Sequence, residues 1–126
     1  MEGLLGRVLL DPATGLPNLP YFEVIQDWEA KRAERRNYLV RVLDIRVDGG
    51  GETTRRSLGW RLRQLLRASD LIASRGTDYF RVLLTSPDAE YAENVARRVA
   101  RMVQSINGRH PSDPPLDVQV AIEATE

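Results

Sequence analysis

The chain contains no cysteine and a single histidine, His110, among its 126 residues. Without thiols there is no disulfide and no thiolate metal site. One histidine in a Pro-rich loop leaves no partner for a histidine-based triad or a zinc centre. No apolar run approaches the roughly 20 residues that span a bilayer, and the N-terminus shows no signal-peptide pattern. An excess of one charge is also missing. The 18 basic residues balance 18 acidic ones, so no whole-molecule field draws nucleic acid or an anionic membrane. Hydrophobic residues make up 42% and charged residues 29%, a balance that argues against disorder. The expectation is one domain over 1–126, cytoplasmic, without nucleic-acid partners or membrane insertion, and large enough to bury a core unaided.

Read along the chain, residues 1–10 suggest the end of an incoming linker helix. Asp11 to Asn18 is dense in turn formers. Tyr21 to Glu34 reads as a helix with a wide but imperfect apolar side, in which Phe22, Ile25 and Glu29 share a face, as do Tyr21, Val24 and Trp28. Tyr38 to Ile45 is a nearly continuous apolar run ending near Asp44, the pattern of a central strand covered on both faces. After Asp48-Gly49-Gly50-Gly51, the leucines at 58, 62, 65 and 66 predict a helix over Glu52 to Ala68, with arginines on its other side. Leu71 to Ser74 and Tyr79 to Leu84 read as strands joined by a turn at Gly76-Thr77-Asp78. Asp88 to Ile106 is the clearest helix, with Ala92, Val95, Val99, Met102, Val103 and Ile106 in one stripe. Leu116 to Glu123 alternates as a strand with one buried face. Trp28 and Trp60 are expected to pack on helix faces, Trp60 partly exposed. The order predicts an α/β layer domain, an α+β sandwich with an antiparallel hairpin in its sheet.

These segments fall, in order, into one known pattern. Asp11 to Asn18 resembles the D-x-x-T-G-L-x-N opening motif of GGDEF domains, the diguanylate cyclase family of bacterial cyclic di-GMP signalling. Leu43-Asp44-Ile45 is similar to the end of that family's first core strand, L-D-I-D. Arg67-Ala68-Ser69-Asp70 followed by Gly76-Thr77-Asp78-Tyr79-Phe80 resembles the R-x-x-D inhibitory motif followed by the G-G-D/E-E-F signature. The helix from Asp88 and the strand from Leu116 sit where the family has its next helix and strand. The resemblance covers nearly the whole chain. It implies a nucleotidyl-cyclase-like fold: a central mixed sheet flanked by helices, with the signature on an antiparallel hairpin. An unrelated ferredoxin-like domain with chance motifs is the alternative, which the lack of a hairpin at Gly76 to Asp78 would favour.

The family joins two GTP molecules across a homodimer, using divalent metal on carboxylates to neutralise phosphate charge. By resemblance, Asp44 and Asp78 hold the two metal-carboxylate positions, and Mg²⁺ enters only if that vestigial pair still binds; no other cofactor is implied. The rest of the signature is altered. Thr77 replaces a glycine that permits a tight turn and close phosphate approach. Tyr79 replaces a carboxylate, and a phenol is no metal or base partner at neutral pH. Arg46 replaces the second aspartate of L-D-I-D, and 47–54 is short and glycine-rich, with no match for the guanine-binding Asn and Asp. The family's further C-terminal helix and strand, which carry basic phosphate contacts, are read as missing. The chain is therefore expected to be a degenerate, catalytically inactive GGDEF domain.

The inhibitory motif is intact at Arg67 and Asp70. In the family the arginine contacts phosphate or the guanine Hoogsteen edge and the aspartate contacts guanine N–H groups, as bidentate geometry allows. Arg98 matches a position that in some members completes this site from a second subunit. The resemblance thus implies a regulatory receptor for cyclic di-GMP, or a nucleotide-independent module that forms a homodimer or docks a partner protein. The plainer reading of Arg67 and Asp70 is a helix end and a turn.

Overall fold

Seven elements form in the computed structural model, which describes residues 9–111 and 113–124. They are helix α1 (Leu19–Arg36), strand β1 (Leu39–Gly49), helix α2 (Glu52–Gln64), strands β2 (Leu71–Arg75) and β3 (Tyr79–Ser86), helix α3 (Tyr91–Arg109) and strand β4 (Leu116–Ala124). The expected incoming helix lies outside the described residues except at Leu9 and Leu10.

The strands build one sheet in the order β2-β3-β1-β4. β1 pairs antiparallel with β3 from Leu39↔Ser86 to Arg46↔Tyr79, and with β4 from Arg41↔Ala124 to Gly49↔Leu116. β2 pairs antiparallel with β3 from Leu71↔Leu83 to Arg75↔Tyr79. The mixed sheet expected from the resemblance is thus corrected: among the described strands every pairing is antiparallel. The reason is topological. β1 and β2 run parallel but β3 lies between them, and β3 and β4 run parallel but β1 lies between them. Two interlocked split β-α-β units result. The hairpin over Gly76 to Asp78 is present.

As its apolar run predicts, β1 is central, and its first half is covered on both sides. Leu43, Ile45 and Val47 point into the main core with Phe80, Val82 and Leu84 of β3, capped by Leu58 and Leu62 of α2 and the Val95, Val99, Val103 stripe of α3. Val40 and Val42 point the other way, into a smaller core with Phe22, Ala73 and Leu83. α1 covers only part of that second face. Beyond its reach Asp44 is half-buried, and Arg46 and Asp48 are exposed. The open part of the face carries the polar cluster described below.

Local chemistry sets the ends. α1 begins at Asn18, whose side chain caps Tyr21 N at 3.0 Å, and stops at Asn37 in the left-handed region. α2 ends at Gln64, four residues short of the predicted Ala68. Leu65 and Leu66 close a tighter turn onto Leu62 and Arg63. The Asp70 side chain then takes the N–H of Arg67 at 2.9 Å, drawing that backbone out of the helix. α3 starts at Tyr91 because Asp88 shapes a preceding turn with Glu90 N and Ser86 Oγ. Its C-terminal Asn107 clamps both backbone groups of Leu116, at 2.8 and 3.1 Å, which starts β4. The second apolar set on α1 faces outward: Val24 is 66% exposed and Trp28 59%. Trp28 therefore does not pack on the sheet, and Arg32 stacks over it instead at 5.5 Å.

Candidate functional site

The opening motif turns out to be a clip on the hairpin. Asp11 Oδ1 accepts from Ala13 N, Thr14 N and Thr14 Oγ1, and Oδ2 accepts from Gly76 N at 3.0 Å. Thr14 Oγ1 meets Ser74 Oγ, and Ser74 N donates to Pro17 O at 2.9 Å. Leu16 enters the core, and Asn18 caps α1. The motif therefore ties the start of α1 to the end of β2 and to the first residue of the β2–β3 turn. Sequence spacing did not reveal this, because the partners stand 65 and 60 residues away.

In the hairpin only Gly76 takes a positive φ, +66°. Thr77 closes the turn without left-handed backbone, so the expectation that this tight turn calls for glycine at position 77 is corrected. The strained torsion falls one position earlier, on glycine. Asp78 is exposed, with its carbonyl accepting from Val47 N at 2.9 Å. Phe80 is fully buried.

Tyr79 sits on the open sheet face between two guanidinium groups, Arg46 at 4.9 Å and Arg75 at 5.0 Å from its ring centre. Both are its cross-strand neighbours. Its phenol is pushed above the usual tyrosine range by burial, then by hydrogen bonding to the Asp44 carboxylate and by that group's charge. Arg81, paired opposite Asp44, reaches Glu123 at 3.5 Å. Asp44 Oδ1 and Arg81 Nε are both buried without a hydrogen-bond partner. A divalent cation does not suit this arrangement. Beside Asp44 stands a protonated phenol, and Arg46, Arg75 and Arg81 surround the pair with positive charge. Among the described residues no group of three His, Cys, Asp or Glu side chains is arranged to hold a metal.

Glycine stands at the end of β1 for a packing reason. Gly49 has φ +70°, and a Cβ there would stand 2.3 Å from Pro115 O. A groove of about 740 Å³ lies between this loop and the hairpin, lined by Pro12, Ala13, Gly50, Glu52, Arg55 and Thr77. Arg55 donates to Gly49 O, and Arg56 is paired with Glu52 at 2.6 Å.

At the second motif, Arg67 and Asp70 are brought together by a turn in which Asp70 N donates to Arg67 O at 3.0 Å. The Asp70 side chain is completely buried. Its Oδ2 accepts from Arg67 N and from Tyr91 Oη, while Oδ1 has no partner. The Arg67 guanidinium stacks on the Tyr91 ring at 3.8 Å and donates to Thr85 O at 2.8 Å. Arg98 donates to Leu65 O at 3.2 Å, which places it beside the same loop within one chain. Beside the motif lies a cavity of about 170 Å³, lined by Pro17, Arg63, Leu66, Arg67, Asp70 and Ile72. Sequence reading did not single out Tyr91; an aromatic at a helix start carries no signal of its partner on another loop.

Burial, then hydrogen bonding to Asp70, pushes the Tyr91 phenol up, and Glu29 does the same for Tyr38 after burial. With Tyr79, three phenols stay protonated in the folded chain to higher pH than in the unfolded one. Their contribution is fully present below the unfolded tyrosine value of about 10 and is lost as pH rises through the folded values. Chemical denaturation from pH 8 to 11.5 should therefore show stability falling above about pH 10. Tyr91→Phe should make that fall shallower; an unchanged profile would contradict the assignment.

No family model matches the chain, and no curated protein matches it. Solved structures do. The GGDEF domain of PA1120 (TpbB or YfiN) from Pseudomonas aeruginosa is 27% identical, with TM-score 0.73, over 90% of this chain and 73% of that one. The GGDEF domain of DgcB from Caulobacter crescentus, solved in complex with c-di-GMP, is 15% identical with TM-score 0.77, over 94% and 78%. Diguanylate cyclase SiaD from Pseudomonas aeruginosa, solved with its activator SiaC, is 21% identical with TM-score 0.79, over 99% of this chain and 53% of that one. The order of the motifs, the hairpin that carries the signature and these likenesses agree: the chain has the fold of a GGDEF domain.

Proposed function

We propose that this chain is a catalytically inactive GGDEF-fold signalling domain that acts as a receptor for cyclic di-GMP through Arg67, Asp70 and Arg98. The observation that carries the inactivity is Tyr79. It stands where the family has a carboxylate, holds its proton more tightly than a free phenol, and faces Asp44 between Arg46 and Arg75. Metal-assisted phosphoryl transfer needs anionic oxygens there, since positioning and electrostatics supply nearly all of its rate. Asp78 stays exposed in the turn. What supports the receptor is the half-exposed Arg67 guanidinium, held by Thr85 O beside a buried carboxylate. Incubation with GTP and Mg²⁺ or Mn²⁺ is expected to give no cyclic di-GMP; product formation would overturn the inactivity. Calorimetry is expected to show cyclic di-GMP binding that Arg67→Ala abolishes; the receptor reading fails if the wild type gives no heat.

A second reading, a docking or dimerisation module within a larger regulator, is favoured by the aromatic residues left in solvent. Trp28 on α1 and Trp60 on α2 are 59% and 65% exposed, and tryptophan is enriched at interface centres. Concentration-dependent sedimentation would distinguish it from a monomeric receptor.

A further inference from the structure

The Arg67–Asp70 turn is occupied from within. Tyr91 places a hydroxyl donor on Asp70 Oδ2 and a flat ring against the guanidinium of Arg67. Those are the two contacts with which a buried carboxylate and an arginine would hold a planar heterocycle bearing ring N–H groups. A base that stacks on the Arg67 guanidinium and donates to Asp70 Oδ2 must take the positions that Tyr91 now holds.

Resting on the receptor reading above, we propose that Tyr91 is an internal plug of this site, and that a nucleobase binds by displacing its ring and taking its place on Asp70 and Arg67. Tyr91 is well placed to move. It is the first residue of α3 and only half-buried, and Asp88 and Glu90 form the turn before it. Arg67 need not move, because Thr85 O holds it and Asp70 Oδ2 keeps the Arg67 N–H after the phenol departs. Asp70 Oδ1, buried and unpartnered beside the cavity, would gain a donor from the incoming base. The Tyr91 contacts are lost on binding, so the plug lowers affinity in proportion to the closed population.

The test is calorimetric titration of cyclic di-GMP into the wild type, Tyr91→Ala, Tyr91→Phe and the double variant Tyr91→Ala, Arg67→Ala. Tyr91→Ala is expected to bind at least tenfold more tightly than the wild type, and Tyr91→Phe, which keeps the ring but frees Asp70, to lie between them. The double variant should lose binding. A tyrosine that merely shapes the site would give the opposite sign, weaker binding on removal. Wild-type binding that is unchanged or weakened in both single variants overturns the plug and leaves the receptor standing. Absence of binding in the wild type and in both single variants overturns the receptor and the plug together. Tyr91→Phe preserves the packing and covers the case in which the alanine variant does not fold.

Discussion

Phe80→Ala is expected to lower the free energy of unfolding by about 3–5 kcal/mol, measured by urea denaturation. The side chain is fully buried and belongs to the main core with Leu43, Ile45 and Leu58. Its ring edge lies against the bare backbone of Gly59, where a Cβ would stand 3.3 Å from it. So close a fit leaves little freedom to collapse into the space removed, and the cavity adds to the lost transfer energy. A domain of this size is stable by only about 5–15 kcal/mol, so the variant should unfold near physiological temperature. A loss below about 1.5 kcal/mol would mean that the hairpin relaxes onto α2, against the packing described.

Asp11→Ala is expected to cost about 2–3 kcal/mol, less than full burial would give because the group is only partly enclosed. The substitution removes four accepted hydrogen bonds, and one of them, from Gly76 N, crosses to the hairpin. Asp11→Asn separates local from tertiary effects. It keeps one carbonyl oxygen for the Ala13 and Thr14 donors but sets an amide against Gly76 N. If the clip matters, the asparagine variant should lose protection from hydrogen exchange at Gly76 and Ser74 while α3 keeps its own. Equal exchange in both proteins would show that Asp11 only shapes its own loop.

What could be read from the sequence follows from how local each cause is. The apolar run at 39–45 announced a doubly covered strand because both of its faces are apolar. The α3 stripe and the turn at Gly76 were equally local. The end of α2 was not legible, since the Asp70 side chain that competes for the Arg67 N–H looks from the sequence like any turn former. Nor was it evident which apolar set of α1 meets the sheet: Val24 and Trp28 match helical spacing as well as Phe22 and Ile25 do. At the candidate sites the resemblance located Asp44, Asp78, Arg67 and Asp70. It could not supply the groups now touching them. Tyr79 between two arginines depends on strand register, and Tyr91 on Asp70 depends on how α3 starts. Both are contacts between segments, which spacing within one segment does not encode.

The strand order has a kinetic side. β1 lies inside the sheet, yet it precedes the other described strands and has no β neighbour until β3 follows some forty residues later; its other edge waits for β4. Until then Val40, Val42, Leu43 and Ile45 form an unpaired apolar strand on the growing polypeptide. Long-range pairing of this kind slows folding relative to domains held by local contacts. In a cell, the segment most in need of a chaperone would be the one that ends as the most protected strand of the native domain.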